Sequence, residues 1–200
     1  MKAPVKLVLY LQLFLLITLF GCTLKPTMTD IRLDETYDGK QYEKILVIGA
    51  VEKTTFRNLL EAELVERLKN EGLEAFPSYV ILPDKTKLTS EIIQRAIDES
   101  GIDSILIASF ADSRKKEMYG AIEDSTPYLY YNGMNDVMHG AGKKSSADIE
   151  TLFLKTNFYD GRSGKRLWSM TSGAEYRFTA KSLDLAGKLV VGKLKEAGLI

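Results

Sequence analysis

The sequence predicts an α/β fold with a mixed sheet of about five strands, and three observations support this prediction. Short apolar runs alternate with amphipathic segments between residues 44 and 110. Two alternating segments flank a turn after residue 147, and the last segment has the apolar spacing of a helix. With 200 residues, of which 45% are hydrophobic and 27% charged, the composition is that of one globular domain.

The first two predicted elements are a strand and a helix. Lys44–Ala50 (KILVIGA) is a continuous apolar run, typical of a strand that is covered on both faces. From Thr55 onward the apolar residues follow a helical period, and Gly72 is placed to end the helix in the left-handed conformation. The predicted buried face consists of Phe56, Leu59, Leu60, Leu64 and Leu68. Glu61 is predicted on the opposite, charged face.

A second strand, a second helix and a third strand follow. Leu73–Leu82 is predicted as a strand in which Pro77 indicates an edge position or a bulge. Thr89 or Ser90 can cap the next helix, which Gly101 ends. Its predicted buried residues are Ile92, Ile93, Ala96 and Ile97. Ile102–Phe110 is the third strand, and right-handed crossovers would make the three strands parallel.

The carboxyl-terminal part is predicted to be a loop, a hairpin and a helix. Residues 120–147 show no clear period and are expected to form an irregular insertion. Asp148–Tyr159 and Lys165–Tyr176 flank the turn 160–164, which predicts a β-hairpin. Ser182 is predicted to cap the final helix.

The amino terminus has the pattern of a secretory leader that ends at a cysteine. Lys2 and Lys6 precede a 14-residue apolar run from Leu7 to Phe20, which is too short for a bilayer-spanning helix. The sequence Leu19-Phe20-Gly21-Cys22 resembles the lipobox of bacterial lipoproteins, which implies residues 1–21 as signal peptide and lipidation of Cys22. The alternatives are an ordinary signal peptide and an uncleaved short anchor. Thr23 is not the aspartate of the inner-membrane retention signal, which favours the outer membrane.

Residues 22–43 are expected to be the lipidated cysteine and a flexible tether, because residues 23–42 sustain neither a strand nor a helix period. Residues 44–200 are then a single α/β domain. Three stretches of this domain resemble uncharacterised bacterial envelope lipoproteins, the amino-terminal domain of the Tol-system translocation protein and the curli-secretion lipoprotein. The residues that carry the resemblance are Lys44–Ala50 with Arg57, Glu61, Leu64, Leu68, Gly72, Ser78 and Tyr79; Gly101-Ile102-Asp103 with Ile105–Ile107; and Tyr159-Asp160, Ser163-Gly164-Lys165 and Trp168. These motifs are structural, so the resemblance implies a fold more than a function.

Few residues offer catalytic or metal chemistry. One cysteine and one histidine rule out a thiolate zinc cluster and a His-pair metal site, and no metal or other cofactor is expected. His139 is expected to be a loop residue facing solvent, and Asp103 a turn residue rather than the partner of Asp112 in a two-carboxylate site. Lys plus Arg (27) equals Asp plus Glu (27), which argues against nucleic acid as a partner.

The remaining candidate is a tyrosine cluster. Tyr128, Tyr130 and Tyr131 either pack in the ordinary way or anchor a partner protein. The sequence therefore predicts a noncatalytic outer-membrane lipoprotein, held to the membrane by its amino-terminal lipid, that acts as an accessory or assembly subunit through contacts with another envelope protein. The alternatives are a subunit of an oligomeric secretion or transport complex and an envelope hydrolase.

Overall fold

Six strands form one mixed sheet in the order β1-β6-β5-β4-β2-β3. The computed structural model describes residues 27–51, 54–82, 89–112, 127, 152–173 and 179–200. The strands are β1 (Thr27–Leu33), β2 (Lys44–Ala50), β3 (Glu74–Pro77), β4 (Ser104–Asp112), β5 (Leu152–Asp160) and β6 (Arg166–Gly173). The helices are α1 (Thr54–Asn70), α2 (Ser78–Ile81), α3 (Ser90–Ser100) and α4 (Ala180–Glu196).

The predicted α/β class is confirmed, and so is the parallel arrangement of its first three predicted strands. β2 pairs in parallel with β3 on one side and with β4 on the other. β5 and β6 form the predicted hairpin, antiparallel to each other, and β5 is antiparallel to β4. The predicted insertion at residues 120–147 lies outside the described residues, apart from Pro127.

Helices cover both faces of the sheet. On one face α1 and α4 pack against β2, β4, β5 and β6, and Val47, Leu64, Phe158, Trp168 and Val190 belong to this core. On the other face Ile93 and Ile97 of α3 pack against the opposite side chains of β2 and β4. This alternation of covered faces is the reason why Lys44–Ala50 is apolar along its whole length.

The hairpin turn has the predicted chemistry. The Asp160 carboxylate accepts the backbone N–H of Ser163 at 2.7 Å, and Gly164 has a φ of +66° that a residue with a side chain rarely adopts. Trp168, on the returning strand, is 1% exposed. It therefore lies in the core.

Residues 27–33 correct the predicted tether, because they form β1 instead of free chain. β1 is antiparallel to β6, with Thr27 opposite Gly173 and Leu33 opposite Trp168. In this seven-residue segment (TMTDIRL) the apolar spacing changes between Met28 and Ile31, where the pairing register shifts, and the partner strand lies about 140 residues later in the chain. Pairing with the outer edge of β6 stabilises a segment that shows little strand preference by itself.

Two further boundaries differ from the prediction. The strand predicted at 73–82 ends at Pro77, and the chain continues as the single helical turn α2. Proline has no N–H to extend the ladder, although the predicted edge position is confirmed. The cap of α4 is Thr179 instead of Ser182, and the two residues form a capping box in which each side chain binds the other backbone N–H.

Candidate functional site

The outer edge of β1 is one of the two edges of the described sheet. β1 pairs with β6 on one side, and no described strand pairs with it on the other. Ile31 and Leu33 are 40% and 43% exposed, and they lie two residues apart on the same face of the strand. Asp30 and Arg32 form an exposed ion pair at 2.8 Å. On its outer edge, β1 thus presents backbone N–H and C=O groups that are not paired with a described strand, together with exposed apolar side chains.

The carboxyl-terminal end of β1 is fixed by contacts with the β5–β6 hairpin. The backbone N–H of Asp34 donates to the carbonyl of Leu167 at 2.8 Å, and the Lys165 ammonium lies 2.8 Å from the Asp34 carboxylate. The hydrogen bond from Lys165, followed by those from Thr36, lowers the pKa of Asp34 to about 2. β1 therefore has a defined position against β6.

The opposite edge of the sheet also exposes apolar side chains. β3 is the last strand on that side and has four residues. Tyr79 and Val80, in the turn of α2 that follows it, are 42% and 63% exposed. The domain therefore carries one apolar pair at each edge of the same sheet: Ile31 and Leu33 on β1, and Tyr79 and Val80 after β3.

Glu61 supports the β3 edge from inside the protein. Its side chain is fully buried, and its carboxylate accepts the Gly49 N–H at 2.8 Å, the Ser78 N–H at 2.8 Å and the Ser78 hydroxyl at 2.6 Å. The Arg57 Nε lies 3.9 Å away. Burial raises the pKa of Glu61, although the bonds from Ser78 and Gly49 act in the opposite direction. One carboxylate thus joins β2, α1 and α2.

Glu61 corrects the predicted orientation of α1. The prediction put Glu61 on the charged face and Leu59 in the core, whereas Glu61 is buried and Leu59 is 49% exposed. Three donors replace the water around the carboxylate, so that its burial is tolerated. A local pattern cannot show these donors, because they belong to residues 12 and 17 positions away.

The sheet has a polar surface on β5, β6 and β1, on the face that α4 does not cover. Lys155 and Asn157 are 9% and 4% exposed, and the Asn157 amide lies 3.2 Å from the Tyr159 hydroxyl, to which it donates. The residues around a cavity of about 10 Å³ on this face are Asp30, Arg32, Lys155, Asn157, Ser169, Met170 and Thr171. The cavity admits about one water molecule and no larger ligand.

A wider groove lies between the amino-terminal halves of α1 and α4. Its volume is about 320 Å³, and its lining includes Phe56, Leu59, Glu63, Thr179 and Leu183. The carboxylate of Glu63 faces the Arg67 guanidinium, which also binds Asp184 of α4. These ion pairs join α1 to α4 beside this groove.

Most of the predicted site residues lie outside the described residues. These are Cys22, Tyr128, Tyr130 and Tyr131, together with His139. Asp103 is described and lies just before β4, where its carboxylate accepts the N–H groups of Glu43 and Lys44 at 3.0 and 3.2 Å. Asp112 is the last residue of β4, at the far end of that strand from Asp103.

The described part of the chain holds no candidate metal site and no candidate membrane-spanning helix. No described group of three or more His, Cys, Asp or Glu side chains could hold a metal ion. Among the described helices, none has the length and apolar character that crossing a bilayer requires.

The described residues define an α/β domain with one open mixed sheet, whose edge strands are β1 and β3. Neither a protein-family model nor a curated protein matches the sequence. A solved structure with some similarity is the PelC dodecamer from Paraburkholderia phytofirmans, with 9% identity over 88% of this chain and 99% of that chain and a TM-score of 0.47. Another is lipoprotein GNA1162 from Neisseria meningitidis, with 14% identity over 76% of this chain and 96% of that chain and a TM-score of 0.40.

Proposed function

We propose that this chain is a noncatalytic lipoprotein of the bacterial outer membrane, anchored through Cys22, that acts as an accessory or assembly subunit through protein–protein contacts. The observation that carries the proposal is the outer edge of β1. A strand from a partner can extend the sheet there through backbone hydrogen bonds, while Ile31 and Leu33 supply apolar contact.

The residue inventory supports a noncatalytic role. The chain has one histidine and one cysteine, and the leader resemblance assigns the cysteine to lipid attachment. Asp103, the one candidate carboxylate with a described environment, is engaged by two backbone N–H groups. These residues therefore favour protein binding over acid–base catalysis as the role of the domain.

A second candidate function is a subunit of an oligomeric complex, and the β3 edge favours it. Ile31 and Leu33 lie at one end of the strand order, and Tyr79 and Val80 lie beside the other end. Two different apolar surfaces on opposite edges permit head-to-tail association, in which the β1 edge of one copy meets the β3 edge of the next. Such contacts form rings or filaments.

Lipidation is tested by metabolic labelling with radioactive palmitate in a bacterial host that processes lipoproteins. The wild-type chain should incorporate label and fractionate with the outer membrane, whereas Cys22→Ser should do neither. Equal fractionation of Cys22→Ser and wild type would contradict the anchoring proposal.

The two modes of association are separated by mass. In mild detergent, an accessory subunit should sediment as a monomer until its partner is added, whereas an oligomer subunit should sediment as a defined multimer. Ile31→Thr with Leu33→Thr places β-branched strand formers at both positions but removes apolar area, and it should abolish either association. Tyr79→Ser with Val80→Ser should abolish only the head-to-tail form. Leu59→Thr changes an equally exposed leucine away from both edges and is the control.

The tyrosine cluster provides a separate contact hypothesis. A photocrosslinking amino acid at position 33 should capture a partner if the β1 edge binds it, and one at position 130 should do so if Tyr128, Tyr130 and Tyr131 bind it. Capture from position 59 alone would contradict both assignments.

A further inference from the structure

The position of β1 limits how the domain can be oriented on a membrane. At one end of the sheet, Thr27 begins β1, and Gly173 lies opposite it. The parallel strands β2 and β4 finish at this same end, because β6 is antiparallel to β5 and β5 is antiparallel to β4. We call it the Thr27 end; it includes Thr27, Ala50, Asp112, Leu152 and Gly173 with the first turns of α1 and α4.

The chain between the proposed lipid and the sheet is short. Only residues 23–26 separate Cys22 from Thr27. Five residue steps of at most about 3.6 Å reach roughly 18 Å when fully extended. A free tether over residues 22–43 would reach several times farther than this linker. Because β1 is hydrogen-bonded into the sheet, its residues do not lengthen the linker.

This reach is less than the height of the domain. β4 has nine residues, and at about 3.4 Å per residue it spans roughly 30 Å. If the opposite end faced the bilayer, Thr27 would lie roughly 30 Å from the membrane surface, and the 18 Å linker would not reach it. The inverted orientation is therefore excluded for a protein lipidated at Cys22.

We propose that the Thr27 end of the domain faces the bilayer to which Cys22 is attached, and that the opposite end, with the hairpin turn 160–164, points away from the membrane. The proposal rests on the lipidation of Cys22 given above. In this orientation a lipid surface contacts the Thr27 end. The β1 and β3 edges then run along the membrane normal and are accessible to proteins.

The orientation is tested with pairs of single-cysteine labels on one helix each. Thr55→Cys and Lys69→Cys lie near opposite ends of α1, about 21 Å apart at 1.5 Å per residue, and Ala180→Cys and Glu196→Cys provide the same comparison on α4. All four positions are exposed, and thioether-linked lipid protects Cys22 from the label. The lipidated full chain is bound to vesicles of phosphatidylethanolamine and phosphatidylglycerol that contain a fluorescent headgroup acceptor.

Energy transfer to the vesicle should be at least twofold more efficient from positions 55 and 180 than from positions 69 and 196. Equal transfer, or stronger transfer from positions 69 and 196, would overturn the proposal. Ten glycine and serine residues inserted after residue 24 should reduce the difference, and a difference unchanged by the insertion would overturn the argument from linker length. Flotation of the labelled protein with the vesicles is measured first, so that a failure of lipidation is distinguished from a wrong orientation.

Discussion

The carboxylate of Glu61 binds both hydrogen-bond donors of Ser78. Its Oε2 accepts the backbone N–H at 2.8 Å, and its Oε1 accepts the hydroxyl at 2.6 Å. Oε1 also accepts the N–H of Gly49, the residue before the end of β2. A single side chain of α1 thereby fixes where β3 stops and where α2 begins.

Replacing Glu61 should destabilise the protein strongly. Glu61→Ala leaves the buried N–H groups of Gly49 and Ser78 without their acceptor, which should lower the free energy of unfolding by about 2–5 kcal/mol. Glu61→Gln keeps one oxygen and should lower it less. Urea unfolding measures both, with Glu66→Gln on the exposed side of α1 as control. Equal stability of Glu61→Ala and Glu66→Gln would contradict this role.

The pH dependence of stability should also identify Glu61. Burial raises the pKa of Glu61 in the folded protein above its ordinary value of 4.5, so the folded state binds the proton more readily than the unfolded state does. The contribution of Glu61 to stability is then complete below the ordinary pKa and decreases as the pH rises through the folded value. Wild type should therefore lose stability relative to Glu61→Gln as the pH rises above 4.5. A constant difference between the two proteins would disagree with a raised pKa.

Two glycines should respond oppositely to alanine. A Cβ at Gly161 would lie 2.9 Å from the backbone carbonyl of Asp103, which cannot move aside, so Gly161→Ala should lower the free energy of unfolding by about 1–3 kcal/mol. A Cβ at Gly192, inside α4, would meet nothing within 4 Å. Gly192→Ala should raise stability by about 0.5–1 kcal/mol through helix propensity. Thermal unfolding of the two variants checks both signs.

Asp160 should account for part of the acid unfolding. Burial opposes its ionisation, but the backbone N–H and hydroxyl of Ser163, then the Tyr42 hydroxyl and Lys40, outweigh burial and lower its pKa to about 2 from 3.8. The resulting stability, about 2 kcal/mol, is present above pH 3.8 and is lost as the pH falls toward 2. Asp160→Asn should thus unfold with a shallower dependence on pH in this window. An unchanged slope would show that the carboxylate does not contribute in this way.

Removing β1 should distinguish an integral strand from a tether. A chain that starts at residue 35 lacks the strand that pairs with β6, next to Trp168. Relative to a chain that starts at residue 23, it should be less stable to urea and show a red-shifted emission from Trp168, the only tryptophan. Identical stability and emission of the two chains would support the tether instead.

The local signals in the sequence were sufficient for most of the central fold. The bounds of Lys44–Ala50 are as predicted because an apolar run with both faces covered needs no distant information. Gly101, with a φ of +64°, ends α3 as predicted, and Thr89 caps its beginning. At both ends of α3, the interaction lies within a few residues of the signal.

The features that were not predicted depend on distant residues. β1 needs the edge of β6, and Glu61 needs donors from β2 and α2. For the candidate edge, Ile31 and Leu33 are alternating apolar residues, but a segment of seven residues with Asp30 and Arg32 between them gives a weak strand signal. Their exposure follows from their position at the end of the strand order, which only the assembled sheet determines.

The pairing of β1 with β6 also sets an order of events during synthesis. The strand that leaves the ribosome first is matched with the strand that leaves it near the end, so the sheet cannot close until almost the whole chain is available. Contacts between such distant parts of a sequence form slowly. A chain of this topology therefore lacks one strand of its sheet's β1–β6 pair for most of its translation.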